Sequence, residues 1–266
     1  IDQEDFSSEF TGGNPHALPL LSQNISIIEV GAYSQIFEKF IDFIGTKSLV
    51  ITDIDSTGMI PEKDKNGTIK KNPDGTDKLK RGACPVTSGD HTSNSSLQFF
   101  YGKEKTLADF IALNQEHRFL KKDPASKDWI PDAGGNLLCV YQTRETADGV
   151  EYHARSFEDA FFHINKPFIA QNTFDAQGTF IGNQKFPTLT QSRMKEFAKS
   201  EIDAWEMADG VNSKPSFAME ILLNSEQVLT ELQDAATGKK ISVTNKFTNW
   251  NIPSYIREGL RWLKQD

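Results

Sequence analysis

The residues best able to do chemistry are carboxylates at the ends of two apolar runs. Glu29 lies near the end of NISIIEV (residues 24–30), and Asp53 and Asp55 follow SLVIT (residues 48–52) in the string DID. Two residues apart on an extended chain, Asp53 and Asp55 are expected to point to the same side. Carboxylates about 4 Å apart repel by roughly 4 kcal/mol at an effective dielectric near 20. Such a cluster requires a shared proton or a cation, and all-oxygen ligands favour Mg2+ or Mn2+ over zinc. The plainer alternative, an Asp that only caps the following turn, suits one isolated acid better than this trio. A further pair, Glu158-Asp159, falls in the first turn of a predicted helix, where the helix dipole alone favours acids. Both readings of that pair stay open.

The elements that must position these groups follow from the patterning. NISIIEV and SLVIT predict buried strands, and LLCVYQ (residues 137–142) predicts a third. Between the first two, Ile36, Phe37, Phe40, Ile41 and Ile44 share a helical face that Gly45 is placed to end. Strand, helix and strand in about thirty residues is the βαβ unit of a parallel sheet. Functional groups gather beyond the carboxyl ends of such strands. Residues 56–90 form a basic, loop-rich insertion with turn pairs Asn66-Gly67 and Asp74-Gly75, which predict a hairpin. Thr92-Ser93-Asn94 supplies cap residues for a helix through Phe99-Phe100, and a short helix is predicted over 107–113. Ser156 is expected to cap a helix ended or bent by Pro167. Helices are further predicted over 190–207, 215–223 and 253–263, with residues 1–23 as a tail. No internal repeat or extended low-complexity tract stands out.

Composition narrows the class. Hydrophobic residues are 37% and charged residues 25% of 266, as in an ordered globular protein. No apolar run reaches the roughly 18 residues that cross a bilayer. Cys84 and Cys139, with no CxxC partner, fit a reducing cytoplasm and neither a disulfide framework nor a zinc site. The five histidines lack zinc spacing, and no GxxxxGK[ST] phosphate loop is present. The formal charge of −8 argues against nucleic acid only superficially, because net charge says little about one groove. The stretch from Lys63 to Arg81 offers a local basic surface for a DNA backbone. The opening Ile and polar, Gly-rich start lead us to expect a fragment of a longer protein.

The blocks ISIIEVGAY, LVITDIDS, RSFEDAF, SKPSFAMEILL and PSYIREGLRWL, in that order from Leu18 to Leu263, resemble the C-terminal nuclease half of the OLD (overcoming lysogenization defect) family of ATP-dependent endonucleases. The resemblance implies a Toprim (Rossmann-like) α/β domain over 24–266, a mainly parallel sheet flanked by helices, with 56–90 inserted and accessory helices at the C-terminal end. It implies two Mg2+ or Mn2+ ions held by Glu29, Asp53 and Asp55, and by Glu158 with Asp159 or Ser156. Lys214 would stabilise charge on the phosphate in the transition state, and Glu29 would also serve in acid/base chemistry. The mechanism implied is in-line attack of water on a phosphodiester. The implied partners are DNA, an N-terminal ATPase domain of the same full-length chain and a second copy in a homodimer, in defence against phage. Two departures stand out: the turn EVGAYSQ is shorter than the family's EVGGAYAH, and Thr57 occupies the place of a third acid.

Two rivals remain. LVITDIDSTGMI matches the first motif of haloacid-dehalogenase-like phosphatases, with Asp53 as nucleophile and Asp55 as general acid/base. That family usually begins with its DxD strand, whereas here a strand and helix are predicted to precede it. The other rival is a catalytically inactive Toprim scaffold for DNA binding or dimerisation.

Overall fold

The computed structural model describes residues 20, 23–31, 33–113, 115–226, 228–233, 236–245 and 249–264. The chain is α/β and divides into two compact units. The first comprises Glu29–Arg144 and His153–Phe157; the second comprises Glu145–Tyr152 and Glu158–Asp266 with the chain up to Ile28.

The first unit contains α1 (Glu38–Ile44), β1 (Ser48–Ile51), β2 (Ser56–Pro61), β3 (Leu79–Ala83), β4 (His91–Thr92), α2 (Ser95–Tyr101), α3 (Leu107–Ala112), α4 (Gln115–Arg118), β5 (Phe119–Lys122), β6 (Trp129–Pro131) and β7 (Leu137–Val140). Its main sheet has the order β1-β7-β5-β6, and β3-β2-β4 form a second. Among the described residues only β1 and β7 pair in parallel; β5 runs antiparallel to both of its neighbours. The main sheet is therefore mixed, not the mainly parallel Rossmann-like sheet expected. All four residues of β7 are buried, as the unbroken run LLCV requires of an interior strand. The core gathers Ile54, Leu97, Leu120 and Leu137 with an edge-on aromatic chain: Phe100 on Trp129, and Phe110 on both Tyr101 and Tyr141. Asn94 caps α2 by accepting from the amides of Ser96 and Leu97, and Thr106 with Asp109 closes a capping box on α3.

The largest correction concerns residues 24–30. They form no strand, and Ile27 is 92% exposed. Their β-branched composition suits a pleated surface, but a ladder also needs a neighbour, which composition does not encode. The helix that follows ends as expected at Gly45, with φ 65°. It begins as a 3-10 turn over Ser34–Phe37, and of its expected apolar face only Ile41 is buried. Ile36, Phe40 and Ile44 stand exposed.

The second unit contains β8 (Arg144–Ala147), β9 (Val150–His153), α5 (Phe157–Ile164), α6 (Lys166–Ala170), α7 (Gln191–Ala198), α8 (Ala204–Asp209), α9 (Lys214–Leu223), β10 (Val228–Gln233), β11 (Lys240–Asn245) and α10 (Ser254–Leu263), with Arg144, His153 and Phe157 counted in the first. Asp148-Gly149, both at positive φ, turn β8 into β9 as Asp-Gly does in a two-residue hairpin. Phe161, Phe162, Phe186 and Phe217 interlock in the core. The single helix expected over 190–207 is two. Ser200 adopts φ 61°, and Asp203 restarts the chain with a capping box to Glu206. Pro167 opens α6 and does not bend α5.

The inserted arm hides a repeat that sequence reading missed. Residues 64–68 (DKNGT) and 72–76 (NPDGT) fold into the same turn eight residues apart. Asp64 N–H donates to Thr68 O and Asn72 N–H to Thr76 O, while Gly67 and Gly75 take φ 84° and 86°. The backbones of Glu62, Lys70 and Lys78 close a ring: 62 donates to 78, 78 to 70 and 70 to 62. Glu62 fastens this ring, with one oxygen 2.5 Å from Lys70 Nζ and the other 3.0 Å from Lys78 Nζ. Those two ammonium groups, Lys70 first, hold its carboxyl down at about 2. Because the folded value lies below the ordinary 4.5, the contribution is complete above that range and is lost as pH falls towards 2. Glu62→Gln is expected to expose the amides of Lys70 and Lys78 to rapid hydrogen exchange at neutral pH while Leu138 stays protected. Unchanged exchange at both lysines would remove this role for Glu62.

Candidate active site

The parallel register of β1 on β7 pairs Ser48 with Leu137 and Ile51 with Val140. Continued by two residues, it brings Asp53 to Gln142. Gln142 is buried, and its side-chain amide bridges two groups of the DID loop. Its Nε2 donates to Asp53 Oδ1 at 2.6 Å, and its Oε1 accepts from the Ile54 amide at 2.7 Å. The same Asp53 oxygen accepts from the amide of Phe157, the first residue of α5, at 2.9 Å. Asn94 donates to Thr52 Oγ1 and Asp53 O, and Thr92 Oγ1 donates to Ile54 O. Hydrogen bonds to a charged acceptor contribute about 1.5–3 kcal/mol each, so this oxygen is a principal tie of the loop.

Asp55 takes a different course. Its backbone is left-handed at φ 49°, so the chain is not extended and the two carboxylates do not present one face. The Asp55 side chain pairs with Arg155 at 3.0 Å, and Arg155 Nε donates to Ser56 O. Ser156 is buried beside the Phe157 amide. Glu29 is exposed on the strandless segment, and among the described residues no hydrogen bond or ion pair joins it to Asp53 or Asp55. Sequence reading therefore missed Gln142, Asn94 and Arg155. Gln142 carried a signal as the last residue of a predicted strand, Asn94 as a helix cap and Arg155 as the first residue of RSFEDAF, but assigning them to the DID loop needs the register and the fold.

In the second unit, Glu158 is buried and accepts from Lys214 Nζ at 2.8 Å, so the structure joins these two expected site residues. A cation at the start of α9 opposes the helix dipole, a cost that the Glu158 carboxylate offsets. Asp159 is also buried, and Tyr152 Oη donates to it at 2.6 Å. Burial and the Asp159 charge push the Tyr152 phenol well above its usual range. His163 stacks on the Tyr152 ring with centroids 4.8 Å apart.

As placed, these side chains do not fit a divalent-ion site. One Asp53 oxygen holds two donors, Asp55 holds an arginine, and Glu29 stands apart. Among the described residues no three His, Cys, Asp or Glu side chains gather to hold a metal.

No family model, curated protein or solved structure matches the chain. The likeness to OLD nucleases rests on the sequence blocks alone.

Burial lowers the proton affinity of His163 in the second unit and of His153 in the first. His163 Nε2 and His153 Nδ1 are buried with no hydrogen-bond partner, so a proton there would be an N–H without an acceptor. Since unfolding restores the ordinary affinity near 6.5, the contribution is complete above that pH and is lost as pH falls below it. Thermal melts should show stability falling between about pH 7 and 5, and His163→Phe should flatten that limb. An unaltered limb in the variant would exclude His163 as its source.

Proposed function

We propose that this chain is the DNA-cleaving half of an OLD-type ATPase–nuclease. On this reading it is a Toprim endonuclease that hydrolyses phosphodiesters in defence against phage or other foreign DNA, with an ATPase domain elsewhere in the same protein. The observation that carries the reading is the pair of carboxylates beyond the carboxyl end of β1, the strand with a parallel neighbour. Arg155, held on Asp55, offers a phosphate oxygen a fixed cation, and Asp55 then becomes the base for an attacking water. Gln142 and the Phe157 amide keep Asp53 oriented. The Glu158–Lys214 pair enters through the resemblance, with Lys214 as the group that neutralises transition-state charge.

Because the carboxylates as placed do not fit two divalent ions, no step is routed through Mg2+ or Mn2+.

Supercoiled plasmid incubated with Mg2+ or Mn2+ should be nicked by the wild-type chain. Asp55→Ala and Lys214→Ala should each slow nicking by about 100-fold or more, the usual worth of a base or of a transition-state charge. Clean wild-type protein that leaves the plasmid intact removes the reading.

One observation favours a second reading. With no strand formed over 24–30, SLVIT-DID is the first strand of the sheet among the described residues, the order found in haloacid-dehalogenase-like phosphatases. There the Asp53 carboxylate attacks phosphorus, the ester P–O bond breaks, and Asp55 protonates the departing oxygen. Hydrolysis of a small phosphomonoester, with phosphate trapped on Asp53, would select this reading over the nuclease.

A further inference from the structure

The DID loop is bordered by one short segment, residues 153–157, which bonds to the loop or to its support at every second position. His153 Nε2 lies 3.0 Å from Gln142 O, Arg155 O accepts from the Asp55 amide at 3.2 Å, and the Phe157 amide donates to Asp53 Oδ1 at 2.9 Å. The Arg155 guanidinium adds its ion pair with Asp55. Ala154 and Ser156, the residues between, are buried. All five belong to the compact unit that contains the loop.

The tie at His153 is the one that a proton can cut near neutral pH. A carbonyl oxygen only accepts, so Nε2 carries the ring hydrogen and Nδ1 is bare. Nδ1 is buried with no hydrogen-bond partner among the described residues, and a second ring proton there would be an N–H without an acceptor. Burial first, and the Arg144 charge after it, hold the proton affinity of the ring below the ordinary 6.5, against the Gln142 carbonyl, which raises it. The charged groups on the elements around the ring are Arg144 and Glu145 on β8, Glu151 on β9, Arg155 in the segment and Asp53 behind Gln142; of these, Arg144 acts on it. Gln142 stands two residues past Val140, which closes the ladder of β7 with β1. Its carbonyl is held by His153, while its side chain holds Asp53 Oδ1 and the Ile54 amide.

We propose that His153 is a positioning residue of the candidate site and its pH-sensitive latch: the neutral ring holds Gln142 against the loop, and the protonated ring turns out to water and releases it. Release loosens the Ile54 amide and the Asp53 carboxylate together, because one side-chain amide serves both. The latch stands on these contacts alone; that it governs turnover rests on the proposed function.

The test is amide hydrogen exchange of the intact chain at about pH 7 and pH 5, read at Ile54 after correction for the intrinsic rate, with Leu138 as the core control. Wild type is compared with His153→Gln, whose amide can donate to the carbonyl but takes no proton, and with His153→Phe, which cannot donate. Thermal melts show that all three are folded. Below 6.5, wild-type protection at Ile54 should fall at up to about tenfold per pH unit, the slope of one proton, while Leu138 stays protected. His153→Gln should keep Ile54 protected at both pH values, and His153→Phe should lose that protection at both. Equal wild-type protection at the two pH values overturns the latch, as does an equal fall in His153→Gln or full protection in His153→Phe. Where plasmid or phosphomonoester is cleaved, the acid limb of the wild-type pH profile should move to lower pH in His153→Gln, and an identical limb overturns the positioning role. A chain that cleaves neither removes the proposed function and leaves the latch to be decided by the exchange result.

Discussion

One carboxylate oxygen sets much of what surrounds the candidate site. Asp53 Oδ1 accepts from the end of β7, through Gln142, and from the backbone amide that begins α5. The half-buried Asp53 carboxylate exchanges part of its solvent for these two donors, and both are supplied by groups whose positions are already fixed. Gln142 is set by the parallel register and the Phe157 amide by the start of a helix. The loop between β1 and β2 thus takes its course from polar satisfaction, with Ile54 driven fully into the core between two aspartates. Its cost is that Asp53 and Asp55 diverge.

That divergence separates the site as built from the site the motif suggests. In the sequence, Glu29, Asp53 and Asp55 form a metal-binding trio. In the fold, each has a separate destination: solvent, a double hydrogen bond and an arginine. The second acidic pair behaves differently. Glu158 and Asp159 sit in the first turn of α5 for the ordinary electrostatic reason, yet each also holds a specific partner, Lys214 and Tyr152. Buried carboxylates with a cation or phenol against them are as much packing as chemistry, and only substitution separates the two.

Elements with strong local signals were legible in the sequence. SLVIT, LLCVYQ, the Asn94 cap, Gly45 and the Pro-led helix at 215–223 all lie within a residue or two of expectation, because a cap or an apolar run needs only its own neighbours. What failed depends on partners far away in sequence. NISIIEV has a strand's composition without a strand's neighbour, and the antiparallel β5 and β6 make the sheet mixed. Ser200 and Asp203 break a helix whose periodicity runs through them. The eight-residue repeat of the arm was present in the letters but was masked by Lys65 and Pro73 at equivalent places. In the site, Gln142 closes a predicted strand and Arg155 opens the block RSFEDAF, but nothing local announces which group each side chain will hold.

The central claim is that Asp53 fastens the loop that carries Asp55 and that its charge is needed for cleavage, and replacement by Asn separates the two roles. The Asn oxygen can accept the same two hydrogen bonds, but the side chain can neither carry charge nor act as a nucleophile. Asp53→Asn should unfold within about 1 kcal/mol of wild type and Asp53→Ala about 2–4 kcal/mol below it, with both unable to cleave plasmid or phosphomonoester. An Asp53→Ala chain as stable as wild type, or an Asp53→Asn chain that still cleaves, would contradict the account.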